Sequence, residues 1–300
     1  MKTIKKTLCL LLALFCLQPP PAFGDEMTVP VEFADFSEKY GEYFLEEDAE
    51  PIITENSYQS HDMYFEIRSE RANKSDVYIV DIYVRSVEVI QRAFGGGKWG
   101  GNLERVPAIA ERSGAILAIT GDNSQNFKKG WIFINGERKR KCSATIARHL
   151  CVLYKNGVME TIKGSDVDNK AISNSADQIW QTFLFGPGLL DADGKACTKF
   201  NSGVSPANPR SVIGYFEPGH YCFVQVDGRS TKSALESGSK NSGMKLVALA
   251  EYMEGLGCKA AYNLDGGQSS VLWFNGEIIS TPYNGGRKIA DVVALVPSVK

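Results

Sequence analysis

The sequence predicts an α+β fold with a mainly antiparallel or mixed β-sheet core and a few flanking helices. Three observations predict it. From Met63 onward, short runs rich in Val, Ile, Tyr and Phe recur, and these residues suit a pleated, half-buried surface. Neighbouring runs are joined by turn pairs, Asn135-Gly136, Asn156-Gly157, Pro218-Gly219 and Asn275-Gly276, which are hairpin signals. Crossover helices are too few for a doubly wound parallel sheet, and no nucleotide-binding glycine fingerprint sits between a strand and a helix.

The elements follow in order. Lys2, Lys5 and Lys6, the apolar run Leu8 to Leu17 and the small residues Ala22 and Gly24 have the order of a secretory signal over residues 1–24. That apolar run is too short to span a bilayer comfortably. Export to the secreted, periplasmic or cell-surface space is therefore expected, with no membrane attachment after cleavage. Residues 25–62 hold twelve acids against one Lys and read as an acidic leader or packing arm, partly helical around Phe36 to Leu45. Residues 63–300 form the main domain and carry a net charge of +6, so an anionic substrate is expected there. The whole chain has a formal net charge of −2, which excludes a nucleic-acid scaffold held by bulk positive charge. Its three histidines are too few for most His-rich metal hydrolases.

Within the main domain, strands are expected at Tyr64 to Ile67 and Val77 to Val84. The glycine-rich Gly95 to Gly101 is a loop, Leu103 to Arg112 a helix stopped by Gly114, and Ala115 to Thr120 a strand. Hairpins are expected around Asn135-Gly136 and Asn156-Gly157, then a helix at Ser173 to Gln181 and a strand at Thr182 to Phe185. Another hairpin spans Ser211 to Val226. One long helix is expected from Ser242 to Leu256, on the spacing of Leu246, Leu249, Ala250, Met253 and Leu256. A strand at Lys259 to Leu264, a hairpin about Asn275-Gly276 and a strand at Val292 to Val296 close the chain.

Five cysteines remain after residue 24. Export permits disulfides. Cys142 with Cys151 and Cys197 with Cys222 are the pairings considered, and Cys258 is expected as a buried free thiol.

The polar residues that carry chemistry stand at strand ends. Gly121-Asp122-Asn123 follows one apolar strand, Asn208-Pro209-Arg210 introduces another, and Asp227-Gly228-Arg229 follows a third. Asn263-Leu264-Asp265-Gly266-Gly267-Gln268-Ser269-Ser270 leaves a fourth. A strand end fixes a side chain while its loop leaves it reachable, and a neighbouring glycine lets backbone amides approach a ligand. Asp122, Asp227 and Asp265 are the candidate catalytic carboxylates. Arg210 and Arg229 are candidate phosphate holders, because a guanidinium fork matches a phosphate by paired hydrogen bonds. Asn208, Asn263, Gly266, Gly267, Ser269 and Ser270 are candidate substrate contacts. Ser269 and Ser270 lack a histidine at a recognisable spacing, so hydrogen bonding is their expected role rather than nucleophilic attack. Asp191-Ala192-Asp193-Gly194 opens like a calcium loop, but Lys195 stands where a ligand is needed, and a hairpin turn is expected. His61, His149 and His220 are isolated and expected to be structural or superficial.

These stretches, with Phe185-Gly186-Pro187-Gly188-Leu189, resemble the phosphodiester glycosidases, the family of the mammalian uncovering enzyme, in order and spacing from about Val77 to Val296. The chain also resembles bacterial members of that family associated with exopolysaccharide. The resemblance implies hydrolysis of a sugar-1-phosphodiester or phosphate-linked surface glycan at the glycosidic bond, with no required cofactor. Three departures bear on substrate identity: Asn123 stands where Tyr or Phe is usual, Gln268 replaces a third glycine, and Val271-Leu272 replaces Thr-Met. Two alternatives remain open at this point. One is a noncatalytic glycan-binding or assembly protein using the same pocket. The other is a phosphodiesterase that breaks P–O with an oxygen-ligated Ca²⁺ or Mg²⁺ ion.

Overall fold

The computed structural model describes residues 31–229 and 241–298. The signal-sequence reading of residues 1–24 lies outside them. Within residues 31–298, two antiparallel sheets stack face to face. The seven-stranded sheet runs, edge to edge, Ile52–Ile53, Ser57–Gln59, Met63–Ala72, Ser75–Val84, His220–Val226, Arg210–Glu217 and Ala260–Asn263. The five-stranded sheet runs Glu277–Ile278, Leu272–Phe274, Leu117–Thr120, Asp291–Leu295 and Ile90–Phe94. Every pairing in both is antiparallel.

Strand alternation builds the layers. In the seven-stranded sheet, Phe65, Val80, Ile82, Ile213, Phe223 and Tyr262 face the central core. Their neighbours Val77, Ile79, Val212, Val224 and Ala261 face the other way, onto Leu246, Leu249, Ala250 and Met253 of the helix Leu246–Gly255. In the five-stranded sheet, Leu117, Ile119, Leu272, Val293 and Leu295 face inward. Ala118, Trp273, Val292 and Ala294 face outward onto Val106, Ile109 and Ala110 of the helix Val106–Ser113. The order is helix, sheet, sheet, helix, with the main apolar core between the sheets. A three-stranded sheet (Met159–Ile162, Leu150–Tyr154, Ile179–Phe183) and the hairpin Ile132–Ile134 with Glu137–Arg140 share a further core around Trp131 and Ile179.

Most expected elements appear within a few residues. The turns at Asn135-Gly136 and Asn275-Gly276 hold both residues at positive φ, the geometry that makes Asn-Gly a hairpin signal. At Asn156-Gly157 only the glycine does, and the Asn156 Oδ1 instead accepts the Val158 N–H at 3.1 Å. The helix expected at Ser173 to Gln181 is displaced. It occupies Asn169–Asn174, because Asp168 accepts the Lys170 and Ala171 amides as an N-cap, and a strand begins at Ile179. Two helices, not one, are eight residues or longer among the described residues.

Part of the acidic stretch is built into the fold. Ile52–Ile53 and Ser57–Gln59 form the edge of the seven-stranded sheet, Tyr40 is buried, and Phe33 meets Trp180 edge-on at 5.0 Å. The five described cysteines are all free thiols, so neither considered disulfide is formed. Cys258 is buried as expected, with its sulfur 3.8 Å from that of Cys222. Among the described residues no helix is long and apolar enough to cross a membrane.

Candidate active site

One end of the sandwich gathers the polar strand ends. The Asp265 N–H donates to the Gly121 carbonyl at 3.0 Å, joining the last strand of one sheet to the middle of the other. The Gly267 N–H donates to the Pro209 carbonyl at 3.0 Å. The Arg229 Nη2 donates to the Asn208 Oδ1. The Thr281 N–H donates to the Asp227 Oδ2 at 2.7 Å. The loops carrying Asp122, Arg210, Asp227, Arg229 and Asp265 are thus connected through short hydrogen bonds.

Their side chains differ in what they leave available. Asp122 is fully buried, and its carboxylate accepts the Leu184 N–H at 2.8 Å and the Phe185 N–H at 2.7 Å. It ties the end of the strand Leu117–Thr120 to the chain leaving Ile179–Phe183. Burial pushes its carboxyl up to about 7, opposed by the Arg92 charge. Asp227 is also buried, with Oδ2 on Thr281 and Oδ1 without a partner among the described residues. Burial pushes it up to about 6, with Thr281 and Tyr78 pulling the other way. Tyr78 in turn is pushed up to about 12 by its own burial and then by the Asp227 charge.

Asp265 is the carboxylate that opens. Its side chain is 10% exposed, Oδ1 accepts the Gly266 N–H at 2.9 Å, and Oδ2 faces the Arg287 Nη2 at 3.3 Å. Burial raises its pKa, and Ser269 and Arg287 lower it. Arg287 also donates through Nε to the Ser269 Oγ at 2.6 Å, while half of its side chain stays exposed. Sequence reasoning missed Arg287. The available signal was a basic residue after Gly285-Gly286, introducing the last strand.

The arginines divide in the same way. Arg210 is buried, with Nε on the Met244 carbonyl at 3.0 Å and Nη2 on those of Val204 and Pro206 at 2.7 and 2.6 Å. Burial, then the charge of Arg229, lowers its pKa to about 10. Its Nη1 has no acceptor among the described residues. Arg229 is exposed, holds a positive φ of 52°, and lays its guanidinium 3.5–3.6 Å from where a side chain at Gly267 would begin. Gly267 has φ +66°, so the backbone favours glycine there, while the distance to Arg229 is an ordinary contact that a side chain could meet.

The remaining candidates frame this corner. The Asn208 Nδ2 donates to the Pro206 carbonyl at 3.0 Å. Buried Asn263 donates to the Gly186 carbonyl at 2.8 Å, while its Oδ1 has no partner among the described residues. Ser270 is buried, its Oγ 3.4 Å from that of Ser211. Asn123 takes a positive φ of 54°, which Asn tolerates, and its N–H donates to the Asp291 carboxylate at 2.8 Å. The Asp191 Oδ1 accepts the Asp193 and Lys195 amides at 3.0 and 2.9 Å, the expected turn. Among the described residues no three His, Cys, Asp or Glu side chains cluster to hold a metal ion.

A two-sheet α+β protein with a part-open carboxylate beside a guanidinium at its strand ends defines the class. The family model described as phosphodiester glycosidase matches residues 113–296, and the chain belongs to that family. Over 78% of this chain and 82% of the other, the fold is similar to the zebrafish N-acetylglucosamine-1-phosphodiester alpha-N-acetylglucosaminidase catalytic domain, auto-inhibited by its pro-peptide. That match has a TM-score of 0.59 at 19% identity. A hypothetical protein from Synechocystis is similar over 82% of this chain and 64% of its own, with a TM-score of 0.59 at 12% identity. The SPbeta prophage-derived uncharacterized protein YomE of Bacillus subtilis is 28% identical over 202 residues, 65% of this chain. The chain spans 30% of that relative's length.

Proposed function

We propose that this protein hydrolyses the glycosidic bond of a sugar-1-phosphodiester or phosphate-linked surface glycan after export. The observation that carries this reading is Asp265. It is a carboxylate nine-tenths buried yet open to the surface, beside the half-exposed Arg287 and on a loop tied to the one that carries Asn208 and, through it, Arg229. Glycoside cleavage develops positive charge on the sugar, which a carboxylate stabilises. The departing phosphate is anionic and is held by guanidiniums. Phosphate leaves more readily than an alkoxide, so strong general-acid help is not required. In this reading Asp265 faces the sugar, and Arg229 with the free edge of Arg210 takes the phosphate. Asp122 and Asp227, sealed in the protein, hold the loops that place them. Family membership supports the reaction class, and the positive charge of residues 63–300 suits an anionic substrate.

Incubation with UDP-N-acetylglucosamine or a nitrophenyl sugar phosphodiester in oxygen-18 water tests the proposal. Label in the released sugar is the expected result, because the C–O bond breaks. Label in phosphate would assign P–O cleavage instead, and absence of turnover on a panel of sugar phosphodiesters would leave a binding protein.

A further inference from the structure

A cavity of about 560 Å³ lies beside this corner, between the Phe185–Pro187 turn and the segment 196–202. Its walls are tied to the site through hydrogen bonds to the backbone beside them. The Asn263 side chain holds the Gly186 carbonyl, and Arg210 holds the Val204 and Pro206 carbonyls just beyond Ser202. The Ser205 Oγ fastens the same segment to the Phe200 and Ser202 carbonyls at 3.2 and 2.7 Å.

The lining is cationic. Arg148, Lys163 and Lys199 face one acid, Asp191, whose Oδ1 is already taken by the Asp193 and Lys195 amides. Lys163 and Lys199 form no ion pair among the described residues. Arg148 is pre-oriented: Nη1 donates to the Phe185 carbonyl at 2.7 Å, and the guanidinium lies 4.1 Å over the Phe127 ring. His149 adds a neutral donor. Burial, then the Lys163 charge, lowers its pKa, and its Nδ1 faces the Gly188 N–H at 3.2 Å, which leaves the proton on Nε2. Phe185 and Phe200 supply apolar wall for the body of a sugar.

We infer that this cavity binds the phosphate of a phosphorylated sugar, through Arg148, Lys163 and Lys199, as a recognition site separate from the carboxylate corner. Three cations against one acid leave a net positive lining that matches a dianion better than a singly charged carboxylate. The volume falls within the range of small-ligand sites and admits a sugar ring with its phosphate. The choice of a phosphate on a carbon other than the anomeric one rests on the proposed hydrolytic reading, which takes the anomeric phosphate to the Asp265 corner. Occupancy of the cavity does not require turnover at Asp265, so the two readings fail separately.

Calorimetric titration of the full chain with glucose 6-phosphate at low salt tests the inference. Saturable binding is expected, weakened about ten- to a hundredfold by the pair Lys163→Gln and Lys199→Gln, and unchanged by Asp265→Asn. Both lysines are exposed, so circular dichroism should show a retained fold. Methyl glucoside and glucuronate should bind at least tenfold more weakly than glucose 6-phosphate. Absence of saturable binding by the wild type, or equal affinity in the lysine pair variant, would overturn the assignment. Equal binding of glucuronate would overturn the choice of phosphate, and equal binding of inorganic phosphate would overturn the sugar.

Discussion

Two arginine–aspartate pairs stand in the same part of the fold and do opposite things. Arg92 and Asp291 pair across adjacent strands at 2.6 Å with side chains 0% and 1% exposed. The remaining donors of Arg92 reach the Thr182 carbonyl and Ser124 Oγ, and Asp291 accepts the Asp122 and Asn123 amides. Gly121 passes so close that a side chain there would meet the Asp291 carboxylate at 2.5 Å. Arg287 and Asp265 pair at 3.3 Å with side chains 51% and 10% exposed. The first pair has all its polar atoms engaged by protein, which makes it a brace between sheet and loop. The second leaves part of its guanidinium and part of its carboxylate facing water, which is what a substrate needs. Identical chemistry becomes scaffold or site according to how many partners the surrounding backbone supplies.

The comparison breaks most visibly on turnover. Asp265→Asn should lower kcat by about a hundred- to ten-thousandfold on a sugar phosphodiester and on an activated sugar lacking phosphate, since it removes charge facing the sugar in both. Its melting temperature should stay near that of the wild type. Near-normal kcat would remove Asp265 from the chemistry.

Stability separates the pairs next. Arg92→Met leaves the buried Asp291 carboxylate without its partner and should cost about 3–5 kcal/mol in denaturant unfolding. Arg287→Met removes a half-exposed partner and should cost at most about 1 kcal/mol. Similar losses from both would erase the distinction between brace and site.

Arg210→Lys sharpens the contrast among the arginines. Lysine keeps the charge but not the fork. A loss of about ten- to a hundredfold in kcat/KM confined to the phosphodiester would place its free edge on phosphate. Equal loss on both substrates would show that its grip on the Val204, Pro206 and Met244 carbonyls is its whole contribution.

Titration gives the smaller effects. Burial raises Asp227 to about 6 and Asp122 to about 7, above the ordinary 3.8. Folding therefore favours their protonated forms. That contribution is complete below about pH 4 and is lost as pH rises through the folded values. Between about pH 4 and 7, wild-type stability should fall relative to Asp227→Asn by on the order of 2 kcal/mol, read from urea midpoints. A flat difference would reject the shift. For Asp265, the kcat/KM profile should lose activity on the acid side at a pH above the usual carboxylate range. Arg287→Gln should move that limb upward, because the guanidinium opposes the effect of burial. An unmoved limb would detach Arg287 from Asp265.

Much of this was legible along the chain. Hairpin chemistry and residue alternation marked the antiparallel sheets, since a strand buried on one face repeats every second residue. The polar residues after Thr120, Val226 and Asn263 stood out because they follow apolar runs. The displaced helix near residue 170 was less legible, because one capping carboxylate, Asp168, outweighed the spacing downstream. Arg92 and Asp291 were charged residues inside apolar strands, a signal of buried pairing that carries no address for the partner.

The sequence by itself determined the sheet-forming runs, their turns and the set of side chains available at the strand ends, because these depend on neighbours a few residues away. Only the tertiary structure decided which of those side chains remain free. Asp122 and Asp265 read alike as Gly-Asp-Asn and Leu-Asp-Gly loops, yet the Leu184 and Phe185 amides surround one carboxylate, while the other meets water and an arginine 22 residues downstream. Accessibility is set by what other segments bring to an atom, and that information exists only once the sheets have closed.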